Sequence, residues 1–412
     1  MTQDGHEEDP IDATLPDPNL PPPADEPATW IDHLPGLRKF CEHLETQTLL
    51  AIDTEANSMH AYEEQTCIAQ LTAGGRNAII DVLAVKDLRP LRDVVARPDV
   101  EVVFHGGDYD ITCLTRDFGF TFGRVFDTMI AATFLAEPRV GLGALVERAF
   151  GIELEKKFQR SDWGRRPLSE EQIDYLRHDT IFLHDLRTWL KARIRDADLE
   201  EELEIELRRL ARRVGAPRTK DPEGWRRMKG ANRLDDAGRC VLHALYGWRE
   251  GVAQARNRPP FKVFSPSTMM KLAAKPPRKA HHPRTLPFVS HGERSRYGRQ
   301  LVAAIQRGLE AHAAGDIPAG PKREALTPEQ AKALKGTKQR ELALKAWRRD
   351  RIAERTVEGR PVPGVVVLPN PAVALLAANP VESVEALAGM EDIGPKRAER
   401  YGEGILRVLR EA

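Results

Sequence analysis

Two segments in the C-terminal half of the chain are copies of one another. VFSPSTMMKLAAKPP begins at Val263 and VLPNPAVALLAANPV at Val367, and Leu-Ala-Ala-x-Pro falls at the same place in both, Leu272 to Pro276 and Leu376 to Pro380. Arg-Tyr-Gly follows twenty residues after each proline, at Arg296–Gly298 and Arg400–Gly402, so these landmarks share one offset of 104 residues. Upstream, Trp248-Arg249 and Trp347-Arg348 are 99 apart, which assigns a five-residue length difference to the intervening loop. Landmarks at constant spacing, each followed by an apolar run of helical period and with little strand signal between them, describe one helical unit used twice. The expected domains are residues 231–314 and 331–412, preceded by linkers at 214–230, where Gly215, Pro217, Pro222 and Gly224 cluster, and at 315–330.

The preceding region, 29–213, has a different texture. Leu37, Phe40, Cys41 and Leu44 recur at helical spacing, and a strand-like run follows at Leu49–Ile52. Strands are expected at Cys67–Leu71 and Ala78–Val82, joined through Gly74-Gly75 as a hairpin. Helix then alternates with strand: a helix near Leu88–Val95, a strand at Val102–His105, a helix from about Tyr109, and mostly helix from Asp127 to about 213. This order predicts an α/β domain, a mixed sheet flanked by helices, followed by the two all-α domains.

A chain of 412 residues is long enough for several cores. No apolar run is long enough to span a membrane, and the N-terminus lacks the order of a secretory signal, so a cytoplasmic protein is expected. Cys41, Cys67, Cys113 and Cys240 lie far apart with no CxxC pair, which fits buried thiols rather than disulfides or a zinc site. The formal net charge of zero conceals an asymmetry: residues 1–28 hold eight acids and no Lys or Arg, leaving the remainder with an excess of eight positive charges. This proline-rich tail is expected to be disordered, as a solubilising extension or as a competitor for a basic nucleic-acid surface.

Chemistry concentrates in three short segments. In AIDTEANS, Asp53 and Glu55 sit two apart at the end of an apolar strand and project from one face. Two carboxylates side by side are costly to bury unless a cation compensates them, although an Asp-x-Glu alone also describes a surface pair. In VVFHGGDYDI, a strand running into a helix, Asp108 and Asp110 point to different helix faces, so at most one reaches a common site; acids also stabilise any first helical turn. In LSEEQIDYLRHDTIFL, Ser169 and Gln172 form a capping-box pattern, which puts Tyr175 and Asp179 one turn apart on one face. An amphipathic helix with a surface acid gives the same pattern.

Taken together, these segments resemble the DEDD exonuclease superfamily, in its tyrosine subclass, and most of all the ribonuclease D family. The residues that carry the resemblance are Asp53-x-Glu55, His105-x4-Asp110, Tyr175-x3-Asp179, Asp127-Thr128 and the stretch KKFQRSDWGRRPLS from Lys156 to Ser169. The histidine subclass needs a histidine at position 174, which is Asp174. The repeated unit resembles the helicase-and-ribonuclease-D C-terminal (HRDC) domain, more clearly in its first copy. One departure is the Asp-Tyr-Asp of the second segment: spacing from His105 selects Asp110, with Asp108 as the alternative.

The resemblance implies a ribonuclease-H-like exonuclease domain with two divalent ions, Mg²⁺ or Mn²⁺. Asp53, Glu55 and Asp179 would hold one, and Asp53 would bridge to a second assisted by Asp110. Tyr175 would orient the attacking water, and nucleoside 5′-monophosphates would leave from the 3′ end of RNA, tRNA precursors among the substrates. A 3′→5′ exonuclease on DNA and a nucleic-acid-binding scaffold with a non-functional site stay open beside it. Trp163 and Arg166 are candidates for the substrate path, with packing as the other reading for Trp163. The basic segments Arg208–Arg213, Lys275–Arg284 and Lys332–Arg355 are candidates for phosphate contacts or solvated faces. Truncation near residue 215 is expected to weaken RNA binding more than it slows the chemical step. His281-His282 has no third ligand nearby and reads as a polar loop, and no GxxxxGK[ST] motif for a nucleotide cofactor occurs.

Overall fold

A computed structural model of the protein describes residues 20–23, 26–155, 157–216, 221–277, 282–320 and 327–412. Most of the acidic tail lies outside them. Leu20 is described; its backbone N–H donates to Ala149 O at 2.9 Å, and its side chain packs on the adjacent core.

Six strands form one mixed sheet: β1 (Ala28–Ile31), β2 (Leu49–Ala56), β3 (Thr66–Ala73), β4 (Arg76–Asp81), β5 (Glu101–Phe104) and β6 (Arg124–Asp127), in the order β1-β4-β3-β2-β5-β6. β2, β3 and β4 are antiparallel, while β1 pairs with β4, β5 with β2, and β6 with β5, all in parallel. The β3–β4 hairpin turns through Gly74 and Gly75 at φ +53° and +74°, the left-handed region that glycine enters without a steric penalty. β1 and β6 do not stand out in the sequence. Each has four residues and, unlike β5 of the same length, lacks three consecutive large apolar residues to mark it.

One face of the sheet is covered by α1 (Leu34–Leu44), α2 (Val82–Val85), α3 (Arg89–Val95) and α4 (Asp108–Phe118), which enclose Leu37, Leu44, Leu50, Ile52, Leu71, Ile80 and Leu91. The other face meets α5 (Thr128–Phe134), α6 (Leu142–Phe150), α7 (Glu170–Ile181), α8 (Leu183–Asp196) and α9 (Glu200–Ala211). The loop from Gly151 to Leu168 interrupts the helical run.

The two C-terminal units share a plan. The first comprises α10 (Asp236–Ala255), α11 (Pro260–Val263), α12 (Pro266–Ala274) and α13 (His291–Ala313). The second comprises α14 (Pro328–Ile352), a small hairpin of β7 (Thr356–Val357) and β8 (Arg360–Pro361), α15 (Gly364–Val367), α16 (Asn370–Ala378), α17 (Val384–Ala388) and α18 (Gly394–Glu411). The repeated tryptophan and tyrosine meet edge-to-face in both, Trp248 with Tyr297 at 5.6 Å between ring centroids and Trp347 with Tyr401 at 6.1 Å. The stretch 214–230, read as a linker, is packed from Gly224 onward: Trp225 is fully buried in the core of the first unit.

The units differ in their attachment. The first has its own core and meets the α/β domain where the Tyr62 hydroxyl donates to Glu250 Oε2 (3.2 Å) and its backbone N–H to Asn257 Oδ1 (3.1 Å). The second shares one continuous core with α5, α6, α8 and α9. Arg397 is fully buried and donates to the carbonyls of Val365, Val366, Ile393 and Glu202, while Asp198 pairs with Lys396 and Arg400. Glu137, its side chain 1% exposed, faces Arg193 at 2.5 Å and, at longer range, Arg148 and Arg360 of β8. Truncation near 215 therefore strips the apolar cover from α8 and α9, so a loss of stability is expected beside any loss of RNA binding.

Removing the buried acid at this junction leaves three arginines without their shared partner. Glu137→Ala is predicted to lower stability by about 3–5 kcal/mol, read from urea unfolding followed by circular dichroism. A loss under about 1 kcal/mol would show that the junction does not depend on it.

Candidate active site

Asp53 and Glu55 lie on β2, the central strand bonded on both sides, and face α7. The α7 start is fixed by a closed capping box: Ser169 Oγ accepts from the Gln172 N–H at 3.2 Å, and Gln172 Oε1 accepts from the Ser169 N–H at 3.0 Å. This start aims Tyr175 and Asp179 at the sheet one turn apart. Asp53, Glu55 and Asp179 each present a carboxylate oxygen, all within 4.8 Å of one another, and all three are half-buried. Acids far apart in the chain thus share one pocket that remains open to solvent.

Asp110 stands beside this trio in the first turn of α4. Its Oδ1 accepts from the Thr54 N–H at 3.0 Å and the Thr54 hydroxyl at 2.5 Å, which ties it to the strand that carries Asp53 and Glu55. Asp108 is exposed and pairs with Arg213 at 2.6 Å. The two acids do face different ways, and Asp110 is the one turned inward. The approach to Asp110 is held by Asp127, fully buried at the start of α5, which accepts from the N–H groups of Gly106, Gly107, Met129 and Ile130. His105 Nδ1 lies 2.9 Å from Thr128 Oγ1, and burial pushes its pKa down to about 4. The sequence reading missed Thr54, although its place between two candidate ligands was a signal.

Tyr175 is held by aromatic contacts: Trp163 stacks on it at 6.1 Å and Phe158 meets its edge at 5.9 Å. Trp163 is 1% exposed and its indole N–H is directed at Glu55 without closing a hydrogen bond, so packing is its dominant role. Arg166 does not line an open path. It forms a two-pronged pair with Asp81 at 2.5 and 2.7 Å and donates to the carbonyls of Trp163 and Cys67, clamping the 158–168 loop to the end of β4. A cavity of about 640 Å³ opens beside Tyr175, His178 and Asp179, with Glu155, Phe158 and Pro22 among its walls.

Electrostatics in this pocket are dominated by like charge. Among the described residues none of Asp53, Glu55, Asp110 and Asp179 forms an ion pair with Lys, Arg or His. Burial, then Asp110, Asp179 and Glu55, hold Asp53 well above the ordinary carboxylate range. Burial, then Asp179 and Asp110, push Glu55 up to about 9. Asp179 rises to about 7 through burial and Asp110, and Asp110 to about 6 through burial, against the pull of its bonds to Thr54. Burial and the neighbouring Asp179 raise Tyr175, so the phenol is neutral near pH 7. The donor set fits a divalent cation: hard oxygen ligands, converging and without positive compensation.

The other candidates fall elsewhere. Arg208, Arg209, Arg212 and Arg213 each face an acid (Glu204, Glu206, Glu391 and Asp108), so that basic run is an ion-paired face. In Lys332–Arg355, Arg340, Arg348 and Arg355 donate to backbone carbonyls, and Lys332 and Lys335 are exposed on the first half of α14. Residues 278–281, within the Lys275–Arg284 run, lie outside the described residues, as do His281 itself and Lys156. His282 caps a short 3₁₀ turn, accepting from the Arg284 N–H. All four cysteines are buried and free.

The raised carboxyls set a sign for pH dependence. Between about 4, the ordinary carboxylate value, and about 9 the metal-free folded protein keeps protons that the unfolded chain releases. Stability from these groups is thus fully present below that range and falls as pH rises through it. Cation binding displaces the same protons. The gain in melting temperature on adding Mn²⁺ is predicted to be larger at pH 8.5 than at pH 5.5, by differential scanning calorimetry; a gain that shrinks with pH would contradict this electrostatic picture.

Comparison with known proteins matches these features. The family profile described as 3′-5′ exonuclease covers residues 28–195, and the HRDC domain profile covers 239–305, within the first helical unit. The chain is 31% identical over 283 residues to ribonuclease D of Nitrobacter hamburgensis, spanning 66% of this chain and 72% of that protein. The catalytic core of RRP6 from Trypanosoma brucei superposes with a TM-score of 0.60 at 26% identity, over 70% of this chain and 82% of that one. Escherichia coli RNase D shares the fold over 94% of this chain and 99% of its own, with a TM-score of 0.64 at 23% identity. The chain belongs to the ribonuclease D family, with its acidic cluster inside a 3′-5′ exonuclease domain.

Proposed function

We propose that the protein removes nucleotides one at a time from the 3′ end of RNA by hydrolysis, releasing nucleoside 5′-monophosphates, with precursor tRNA and other structured RNAs bearing short 3′ tails as its substrates. The observation that carries this reading is the convergence of Asp53, Glu55 and Asp179, without a positive partner among the described residues, inside a domain matched as a 3′-5′ exonuclease.

Asp53, Glu55 and Asp179 would hold divalent cations, two Mg²⁺ or Mn²⁺ ions in this reading, and Asp110 would assist through its second oxygen, the first being committed to Thr54. Such ions supply charge neutralisation at the scissile phosphate and lower the pKa of the attacking water. The protein's own part is placement. The neutral Tyr175 phenol, fixed by Trp163 and Phe158, is suited to orient a water by hydrogen bonding and is a poor base. The half-buried carboxylates leave access for a chain terminus. Tyr62, seven residues beyond Glu55, anchors the first helical unit at the rim, so this unit is placed to hold RNA leading into the site. The second unit serves mainly as a brace, because its core is continuous with the nuclease. Among the described residues no helix is long and apolar enough to cross a membrane, and four free buried thiols support a cytoplasmic setting.

The test is cleavage of 5′-labelled RNA and DNA oligonucleotides with Mg²⁺ or Mn²⁺, with and without EDTA. A 3′-end ladder on RNA, abolished by EDTA, is expected. Asp53→Asn and Asp179→Asn are predicted to lose roughly a thousandfold or more in rate, equivalent to about 4–5 kcal/mol, while remaining folded. Tyr175→Phe should retain weak activity, and Asp110→Asn should be far more damaging than Asp108→Asn. Near-normal activity in Asp53→Asn would show that the site is misassigned. A ladder on DNA alone would favour a DNA exonuclease, and no product on either would favour a binding scaffold.

A further inference from the structure

Gln70 lies in the middle of β3, fully buried, and among the described residues neither its Oε1 nor its Nε2 has a hydrogen-bond partner. Buried amides are nearly always paired, and an interior strand position is one that Val or Ile fills well. In the antiparallel register Gln70 stands directly opposite Asp53. Directly opposed residues share a sheet face, with side chains a few ångströms apart at their bases. Gln70 and Asp53 therefore project together towards α7.

The surroundings of that amide are mostly apolar. Its other cross-strand partner is Ile79, and its same-face neighbour on β3 is Ile68; both belong to the cluster that contains Leu176 of α7. Thr72, the polar neighbour on the other side, is already engaged with Asn77 and Thr180. On this face Asp53 is the residue paired with Gln70, and the Asp179 carboxyl, one turn beyond Leu176, converges on that of Asp53. An amide can donate to an ionised carboxylate and accept from a protonated one, so Gln70 can pair with Asp53 in either state.

We propose that Gln70 is a positioning residue of the metal site, its side-chain amide orienting the Asp53 carboxylate for cation binding. This rests on the metal-dependent reading above. An outer hydrogen-bond partner of this kind fixes which oxygen of a ligand faces the ion, and its loss usually weakens metal affinity or activity by about 10–100-fold. The cost of an unsatisfied amide in the metal-free state is then retained because it serves the loaded state.

The decisive variant is Gln70→Met, similar in length but without the amide, made in the full chain. Mn²⁺ binding is measured by the paramagnetic resonance signal of the free ion, alongside metal-free thermal melting and steady-state cleavage of an RNA oligonucleotide. The expected result is an Mn²⁺ affinity about 10–100-fold weaker and a lower kcat, with KM for RNA changed by less than about twofold. The metal-free melting temperature should stay level or rise, because a buried unpaired amide has been removed. Unchanged Mn²⁺ affinity and kcat, with or without a stability gain, would overturn the proposal and leave Gln70 as a packing residue. Should Gln70→Met fail to melt cooperatively, Gln70→Asn decides, since it keeps the amide but withdraws it by one methylene; wild-type Mn²⁺ affinity in that variant would equally overturn the assignment. Absence of Mn²⁺ binding by the wild-type protein would instead remove the metal-site reading itself.

Discussion

Repulsion among four carboxylates governs this molecule. Asp53, Glu55, Asp110 and Asp179 crowd one end of a β-sheet, partly removed from water and, among the described residues, without a basic side chain to balance them. Left alone they retain protons, as the upward shifts of Glu55 and Asp179 record. A protein gains nothing in stability from such a cluster, so its existence points to a partner that supplies positive charge.

Much of the surrounding structure can be understood as the means of holding that cluster in place. β2 is bonded to β5 at Leu49–Ala51 and to β3 from Ala51 through Glu55, so the strand that carries Asp53 and Glu55 is anchored just before them and paired along one side at them. Asp110 is tied to Thr54 between them, and Asp127 secures the glycine turn that leads to Asp110. Asp179 and Tyr175 depend on the capping box of α7 and on a loop clamped by the Arg166–Asp81 pair. Beneath α8 and α9, the second helical unit completes the apolar core that supports this face. The second helical unit thus shares the core of the nuclease, while the first keeps a separate core and touches the rim through Tyr62.

Elements with a strong local signature were legible in the sequence: the glycine hairpin, the capping box at Ser169 and Gln172, and the helical character of the C-terminal half. The i,i+2 and i,i+4 spacings correctly brought Asp53 with Glu55 and Tyr175 with Asp179 onto common faces, and the helix geometry separated Asp108 from Asp110. What stayed hidden depends on contacts between distant segments. Strands β1 and β6 are short and lack the apolar run that marks β5, and they exist because neighbours pair with them. Arg166 looked like a substrate contact until Asp81, eighty-five residues earlier, proved to be its partner. For the arginines of 208–213 the sequence leaves phosphate contacts and a solvated face both open, and only the structure shows each of them facing an acid. The shared core of the second unit could not be read at all, since an apolar helix face does not say which surface will cover it.

Diffraction from crystals soaked in Mn²⁺, recorded at a wavelength where manganese scatters anomalously, examines the central claim without any assay of activity. The account predicts an anomalous peak in direct contact with oxygens of Asp53, Glu55 and Asp179. A saturating soak that leaves this pocket without a peak, or places manganese elsewhere on the chain, would contradict it.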